Sequence, residues 1–130
     1  MMLKQLIYWS QPFGFDDAML GGILIQARRN NVRDGLTGAL IVRHDLYLQL
    51  LEGPADAVDT TFGRIKRDNR HLAVTLISRA EVAARMFPEW SMRDDPAQSW
   101  LWTAKEVEGG ALERATPAEV LAVFGRLAAD

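Results

Sequence analysis

The chain has 130 residues and no cysteine, which removes several chemistries at once. Without cysteine there can be no disulfide, no thiolate metal site and no cysteine nucleophile. Histidine is scarce as well: a zinc site built on His44 or His71 would have to borrow carboxylates. We therefore expect no metal centre.

The chain also lacks a strong charge of either sign. Its 15 Lys and Arg residues against 17 Asp and Glu residues give a formal net charge of −2, which argues against a basic nucleic-acid-binding domain. No apolar stretch reaches membrane-spanning length, and residues 1–8 lack the long apolar core and cleavage site of a secretory signal. We expect a cytoplasmic protein with no nucleic-acid or membrane partner.

Familiar enzyme signatures are missing too. There is no phosphate-binding P-loop, no GxGxxG motif and no glycine elbow around Ser10 or Ser91. What remains is a globular composition, 48% hydrophobic and 25% charged, at the length of one domain. A basic run at Arg64, Lys66, Arg67 and Arg70 is either a solvated face or a patch for phosphates or a partner's acidic groups.

Hydrophobic periodicity predicts alternating strands and helices. We expect strands at 3–10, 36–42, 46–52 and 72–78, a short strand around 90–92, and helices from Asp16 or Asp17 to about Asn30 and from 53–54 to 67–69. This order indicates an α+β, ferredoxin-like βαββαβ fold with an extra short strand. Right-handed crossovers place both helices on one sheet face, with a groove between them that suits a planar ligand.

The C-terminal part differs in composition from residue 96 onward. Thr116 and Pro117 predict the start of a final helix, with threonine as its cap and proline at its first position. Val120, Val123, Phe124 and Leu127 would share the buried face of that helix. We expect residues 96–130 to form one or two helices on the other sheet face, as an extension of a domain over residues 1–95.

Polar residues inside predicted strands are candidates for function. Gln49 is flanked by Leu48 and Leu50, and a buried glutamine without partners costs about 1–3 kcal/mol. Tyr8 on a neighbouring strand is a candidate partner, although strict alternation would instead place Gln49 on a solvent face. Two glycines in the first helix, at 21–22, indicate either a weakly specified helix or a flat group lying against its backbone.

Five short motifs together resemble one known family. They are LIYWS at 6–10, ARRNNVRDGLTGAL at 27–40, LQLLEG at 48–53, RDNRH at 67–71 and WSM at 90–92. Each is weak alone, but in this order and spacing they resemble the BLUF family of blue-light receptors that use flavin, over about residues 2–94. That resemblance implies the same fold, with the isoalloxazine ring of FAD between the two helices.

The resemblance also implies roles for individual residues. Tyr8 would be the photoactive tyrosine, Gln49 the switching glutamine, and Asn31 a ligand of the flavin's pyrimidine edge. The remaining cofactor contacts would be Asn30, Asp68, Arg70 and His71. Trp90 and Met92 would be the fifth-strand residues that report the state of Gln49.

The implied chemistry suits these residue types. A phenol can give an excited flavin an electron and then a proton, and the glutamine amide carries a donor and an acceptor. Rotation or tautomerisation of that amide would add a donor to the flavin C4=O, shift absorption to the red, and reverse in the dark. No enzymatic activity is expected, and the stretch after the domain is too short for an output enzyme.

The resemblance therefore predicts a photoreceptor that signals through an unidentified partner protein, with self-association through the C-terminal helix and its neighbours Trp100 and Trp102. Two alternatives come from other classes of protein. One is a small ferredoxin-like enzyme that uses Tyr8 and Gln49 on a substrate. The other is a non-photoactive interaction module.

Overall fold

A computed structural model describes residues 3–13, 17–68 and 70–129. Ten elements follow one another along these segments, in the predicted order of strands and helices. They are β1 Leu3–Pro12, α1 Asp17–Asp34, β2 Thr37–Arg43, β3 Leu46–Gly53, α2 Ala55–Arg67, β4 His71–Val82, β5 Arg93–Pro96, α3 Ala104–Glu108, α4 Ala111–Arg114 and α5 Pro117–Ala128.

The sheet has five strands in the order β4-β1-β3-β2-β5. β1 is antiparallel to both β3 and β4, β2 is antiparallel to β3, and β5 joins the edge of β2 in parallel. This arrangement confirms the predicted α+β ferredoxin-like fold with an additional strand. It also makes β1 and β3 inner strands of the sheet, with buried side-chain clusters on both faces.

The first helix is about one turn longer than predicted, ending at Asp34 rather than near Asn30. Gly35 follows with φ +74°, the left-handed conformation that commonly ends a helix, and the Leu36 amide donates to the Asn31 carbonyl. Asp16, one of the two predicted caps, lies outside the residues described. The second helix begins at Ala55, with Pro54 in the cap position rather than in the first turn.

The predicted fifth strand at 90–92 is wrong in position, because β5 begins at Arg93. Side chains of α1 explain the shift. The Asn31 amide donates to the Ser91 carbonyl at 2.5 Å, and Arg28 Nε donates to the Met92 carbonyl at 3.1 Å. These two carbonyls therefore bond to a helix instead of to β2, and regular pairing starts one residue later, between Arg93 and Ala39.

The two faces of the sheet carry separate cores. α1 and α2 cover the face that contains Tyr8 and Leu51, while the opposite face, with Trp9 and Leu50, packs against the C-terminal helices. Alternation along β1 thus turns Trp9 away from Tyr8, as expected.

The C-terminal segment forms three helices rather than the predicted one or two. α3 and α4 are each about one turn long, and α5 begins with the predicted threonine cap. Thr116 and Glu119 form a reciprocal capping box there. Val120, Phe124 and Leu127 of α5 are buried in the core of the sheet. The division of the chain between residues 95 and 96 stays a prediction.

Candidate functional site

Tyr8 and Gln49 lie directly opposite each other in the β1–β3 register. The Tyr8 hydroxyl donates a hydrogen bond to Gln49 Oε1, and both side chains are buried, Gln49 to 5% exposure. The sheet face that carries Gln49 is covered by α1 and α2 and is not open to solvent. The glutamine amide therefore needs a hydrogen-bond partner inside the protein. Tyr8 on the neighbouring strand supplies it.

The other end of the Gln49 amide faces Met92. Gln49 Nε2 donates to Met92 Sδ at 3.4 Å, and Met92 is buried in the core beneath α1. A phenol, an amide and a thioether therefore form one buried chain across β1, β3 and the residue before β5. The amide stands between a donor on one side and a weak acceptor on the other.

The electrostatics around Tyr8 keep its phenol protonated. Complete burial raises the pKa of Tyr8 far above its ordinary value, and the negative charge of Asp68 and the neighbouring Tyr47 act in the same direction. The hydroxyl is therefore held as a hydrogen-bond donor toward Gln49 across the physiological pH range.

A cleft between α1 and α2 opens above this chain. It holds about 630 Å³ of empty space, counting the part open to solvent. Its wall combines apolar side chains with hydrogen-bonding and charged groups: Ile23, Gln26, Ala27, Asn30, Asn31, Gln49, Leu51, Thr61, Arg64, Ile65, Asp68, Arg70 and His71. The predicted groove between the helices is thus present, and Gln49 is the member of the chain that reaches it.

His71 lies at the same cleft with its ring buried. Its Nδ1 is 2.9 Å from Ser10 Oγ, and its ring centroid is 5.2 Å from that of Tyr47. Burial lowers the pKa of His71, partly opposed by the charge of Asp68. The imidazole is therefore neutral at pH 7, with one donor and one acceptor nitrogen.

Arg70 organises the rim of the cleft. Its Nε and Nη2 donate to Asp68, and Nη2 also donates to Gln26 Oε1 at 2.5 Å, which ties the rim to α1. The guanidinium holds the pKa of Asp68 below its ordinary value. Gly22 faces this arginine: a Cβ added at Gly22 would lie 3.9 Å from Arg70 Nη1. A Cβ added at Gly21 would have no atom within 4 Å among the described residues.

The structure brings most of the predicted site residues together, with one exception. Trp90 is 49% exposed in the connection before β5, and its ring lies 5.9 Å from the Arg93 guanidinium carbon rather than at the cleft. Asn31 is buried and bonded to Ser91, while Asn30 lines the cleft directly. The RDNRH motif also contains Asn69, which lies outside the residues described.

Sequence reasoning missed Gln26 at the rim and the apolar wall of the cleft, and it also missed Arg28 and Thr61. Arg28 reaches Met92 from the same face of α1 as Asn31, three positions away. Thr61 is a polar residue on the buried face of α2, between Val58 and Ile65. Its helical spacing from Val58 was the available signal.

Thr61 also tests whether the cleft suits a ligand. Its Oγ1 is buried and has no hydrogen-bond partner within the parts of the chain that the structure describes. Such a group is costly unless something satisfies it. A flat apolar molecule with polar edges and a negative charge would fit this cleft. Its edges could bond to the Thr61 hydroxyl and the side-chain amides, and its charge would face Arg64 and Arg70.

The described segments lack two other kinds of site. No group of three or more His, Asp or Glu residues could hold a metal ion there. None of the helices described is long and apolar enough to cross a membrane.

Comparison with known proteins gives a consistent result. The family model described as sensors of blue light using FAD matches residues 3–93. The chain is 39% identical over 74 residues to the photoactivated adenylate cyclase subunit beta of Euglena gracilis, covering 56% of this chain and 9% of the relative. The chain thus spans about a tenth of the length of the curated relatives it matches.

Solved structures are similar over nearly the whole chain. The BLUF protein BlrB in its dark state is 31% identical with a TM-score of 0.83, over 98% of this chain and 96% of that one. A bacterial light-regulated adenylyl cyclase is 29% identical with a TM-score of 0.71, over 87% of this chain and 33% of that one.

Proposed function

The chain belongs to the BLUF family of blue-light sensors that use FAD, and we propose that it holds FAD in the cleft between α1 and α2. The Tyr8–Gln49–Met92 chain is then the light-driven switch. The observation that carries this proposal is that a fully buried phenol donates to a buried amide that lines a cleft suited to a planar ligand.

Bound flavin would supply a strong one-electron oxidant on absorbing blue light. Tyr8 would be the electron donor, because a phenol can release an electron and then its proton. The phenolic proton is already directed at Gln49 Oε1, so the amide oxygen is its nearest acceptor. Phenylalanine at this position could make neither transfer.

Gln49 would convert that transfer into a change of hydrogen bonding. Its amide donates to Met92 Sδ in the structure, and a thioether can accept but not donate. If the amide rotates or tautomerises, its donor and acceptor groups no longer match both Tyr8 and Met92 as they do in the structure. Rotation would turn the amide oxygen toward Met92 Sδ and break this hydrogen bond, and either change would offer bound flavin a new donor.

The residues around the cleft would position the cofactor. Asn31 and Asn30 on α1 would supply amides for the ring's polar edge, and Thr61 on α2 would supply its hydroxyl, which has no partner among the described residues. Arg70 and Arg64 at the rim suit the diphosphate of FAD. His71 and Asp68 complete this wall, with Asp68 orienting the Arg70 guanidinium.

We propose further that the chain is a sensor without enzymatic activity of its own, acting in the cytoplasm through a partner protein. Several relatives carry adenylate cyclase in their names and are much longer than this chain. Self-association through the C-terminal helices belongs to the same proposal.

The decisive experiment is the spectrum of the purified protein. We expect a yellow protein whose flavin absorption shifts to the red under blue light and returns in darkness. Tyr8→Phe should retain FAD and lose the shift completely. Tyr47→Phe is the matched control, because it removes the other buried tyrosine on the same face and should keep the shift.

A normal photocycle in Tyr8→Phe would refute the assigned switch. A colourless protein that does not retain added FAD would favour the non-photoactive interaction module instead. Gln49→Leu tests the second member of the chain and should likewise bind FAD without the red shift.

A further inference from the structure

Arg93 connects β5 to the last turn of α5. Its Nη1 donates to the Leu127 carbonyl at 3.0 Å, and its Nε donates to Asp95 at 2.7 Å. Leu127 lies in the last turn of α5, where carbonyls lack the usual i+4 amide partner, and its carbonyl also accepts from the amide of the cap residue Ala129. The guanidinium therefore caps the negative end of α5 from a different element.

Arg93 directly follows Met92, but the two side chains lie on opposite faces of the sheet. Met92 packs in the core beneath α1. Arg93 pairs with Ala39, which belongs to the core shared with the C-terminal helices, and reaches Leu127 there. A displacement of Met92 on one face must therefore move the backbone that carries Arg93 to the other.

β5 is a weakly held element between two arginines. It is four residues long and pairs only with the edge of β2, in the parallel arrangement that is slightly less stable per residue. Arg28 fixes it to α1 through the Met92 carbonyl and through Asp94 at 2.7 Å. Arg93 fixes it to α5.

We propose that Arg93 is the positioning residue through which the state of the Gln49 amide reaches α5. This inference rests on the function proposed above. When Gln49 no longer donates to Met92, the segment that enters β5 shifts. Arg93 then loses the Leu127 carbonyl, and the last turn of α5 loosens.

The test is hydrogen–deuterium exchange of the FAD-bound full chain, in darkness and under continuous blue light, followed by mass spectrometry. In the wild type, peptides that cover the end of α5 should exchange several-fold faster in the light. Arg93→Gln should keep the red shift and show equally fast exchange in both states. Arg93→Lys keeps the cation and should retain part of the difference.

Arg126→Gln is the matched control. Arg126 is exposed on the same helix and stacks on Trp100 at 4.3 Å, so its loss should leave the light–dark difference intact. If Arg93→Gln does not fold, Asp95→Asn loosens the same guanidinium and should reduce the difference.

Three results would overturn the inference. The first is a wild type with a normal red shift and no light-dependent exchange in α5. The second is an unchanged light–dark difference in Arg93→Gln. The third is loss of the red shift in that variant, which would make Arg93 part of the photochemical switch itself. A wild type without any red shift would instead refute the proposed function, and the inference with it.

Discussion

At the scale of single residues, the energy available to the proposed switch at Gln49 is small. Exchanging one hydrogen bond at Gln49 changes the free energy by roughly 0.5–1.5 kcal/mol. A light state can shift a conformational equilibrium only by its differential interaction energy, so the populations change by about tenfold at most. Because Tyr8, Gln49 and Met92 are buried, water does not compete for their hydrogen bonds, and this small difference in free energy is retained.

His71 provides a pH-dependent test of the cleft. Burial lowers its pKa, so the unfolded chain takes up a proton near the ordinary histidine value while the folded protein stays neutral. The unfolded state therefore binds more protons as pH falls, and stability is lost below about pH 6.5. The loss is at most about 1.4 kcal/mol per pH unit for one proton.

The measurement is the free energy of unfolding in urea at pH 7.5, 6.5 and 5.5. His71→Gln should flatten the dependence on pH, since no buried imidazole is left to titrate. His44→Gln is the control, because His44 is exposed in the β2–β3 turn. The explanation fails if His44→Gln flattens the curve and His71→Gln does not.

The sequence predicted the Tyr8–Gln49 pair but left open whether Gln49 faces solvent. Alternation could not decide this, because it assumes that one sheet face is open to water. Here helices cover both faces, so every side chain of β3 is buried. The contact of Arg28 was not predicted, because it depends on the segment after β4 bringing the Met92 carbonyl next to α1.

At the scale of elements, close backbone contacts fix the register next to Gln49. An added Cβ at Gly38 of β2 would lie 2.0 Å from the Leu50 carbonyl oxygen on β3. Backbone atoms in a central ladder cannot move away as a flexible side chain would. Glycine is therefore required at this position by the approach of the two strands.

Gly38→Ala should lower the free energy of unfolding by about 1–3 kcal/mol or more, the usual cost of overpacking. Gly125→Ala in α5 is the matched control, because nothing lies within 4 Å of its added Cβ. It should stabilise the protein by about 0.5–1 kcal/mol through helix propensity. Equal effects of the two substitutions, measured by urea unfolding, would contradict this reading of the contacts.

Element types were predictable from the sequence, whereas some boundaries were not. The capping pattern at Thr116 is local, and the structure contains it as predicted. The start of β5 depends on Asn31 and Arg28 of α1, which lie about sixty residues earlier in the chain. No local pattern contains that information.

At the scale of the whole molecule, the C-terminal helices cover one entire face of the sheet. Leu101, Val107, Leu112, Phe124 and Leu127 are buried against strand residues of that face. Phe124 stacks edge-on against Phe87 of the β4–β5 connection at 6.4 Å. The C-terminal helices and the sheet therefore share a core, through which the proposed change at β5 would reach the molecular surface.

A chain that ends at Pro96 should consequently fail to remain a soluble monomer. Its sheet would expose a contiguous apolar face that includes Ile7, Trp9 and Leu48, and patches of that size promote association. Size-exclusion chromatography with light scattering checks this. Phe124→Ala in the full chain is the milder control: it should stay folded while losing about 3–5 kcal/mol of stability. A monomeric 1–96 fragment that binds FAD would show instead that the sheet needs only α1 and α2.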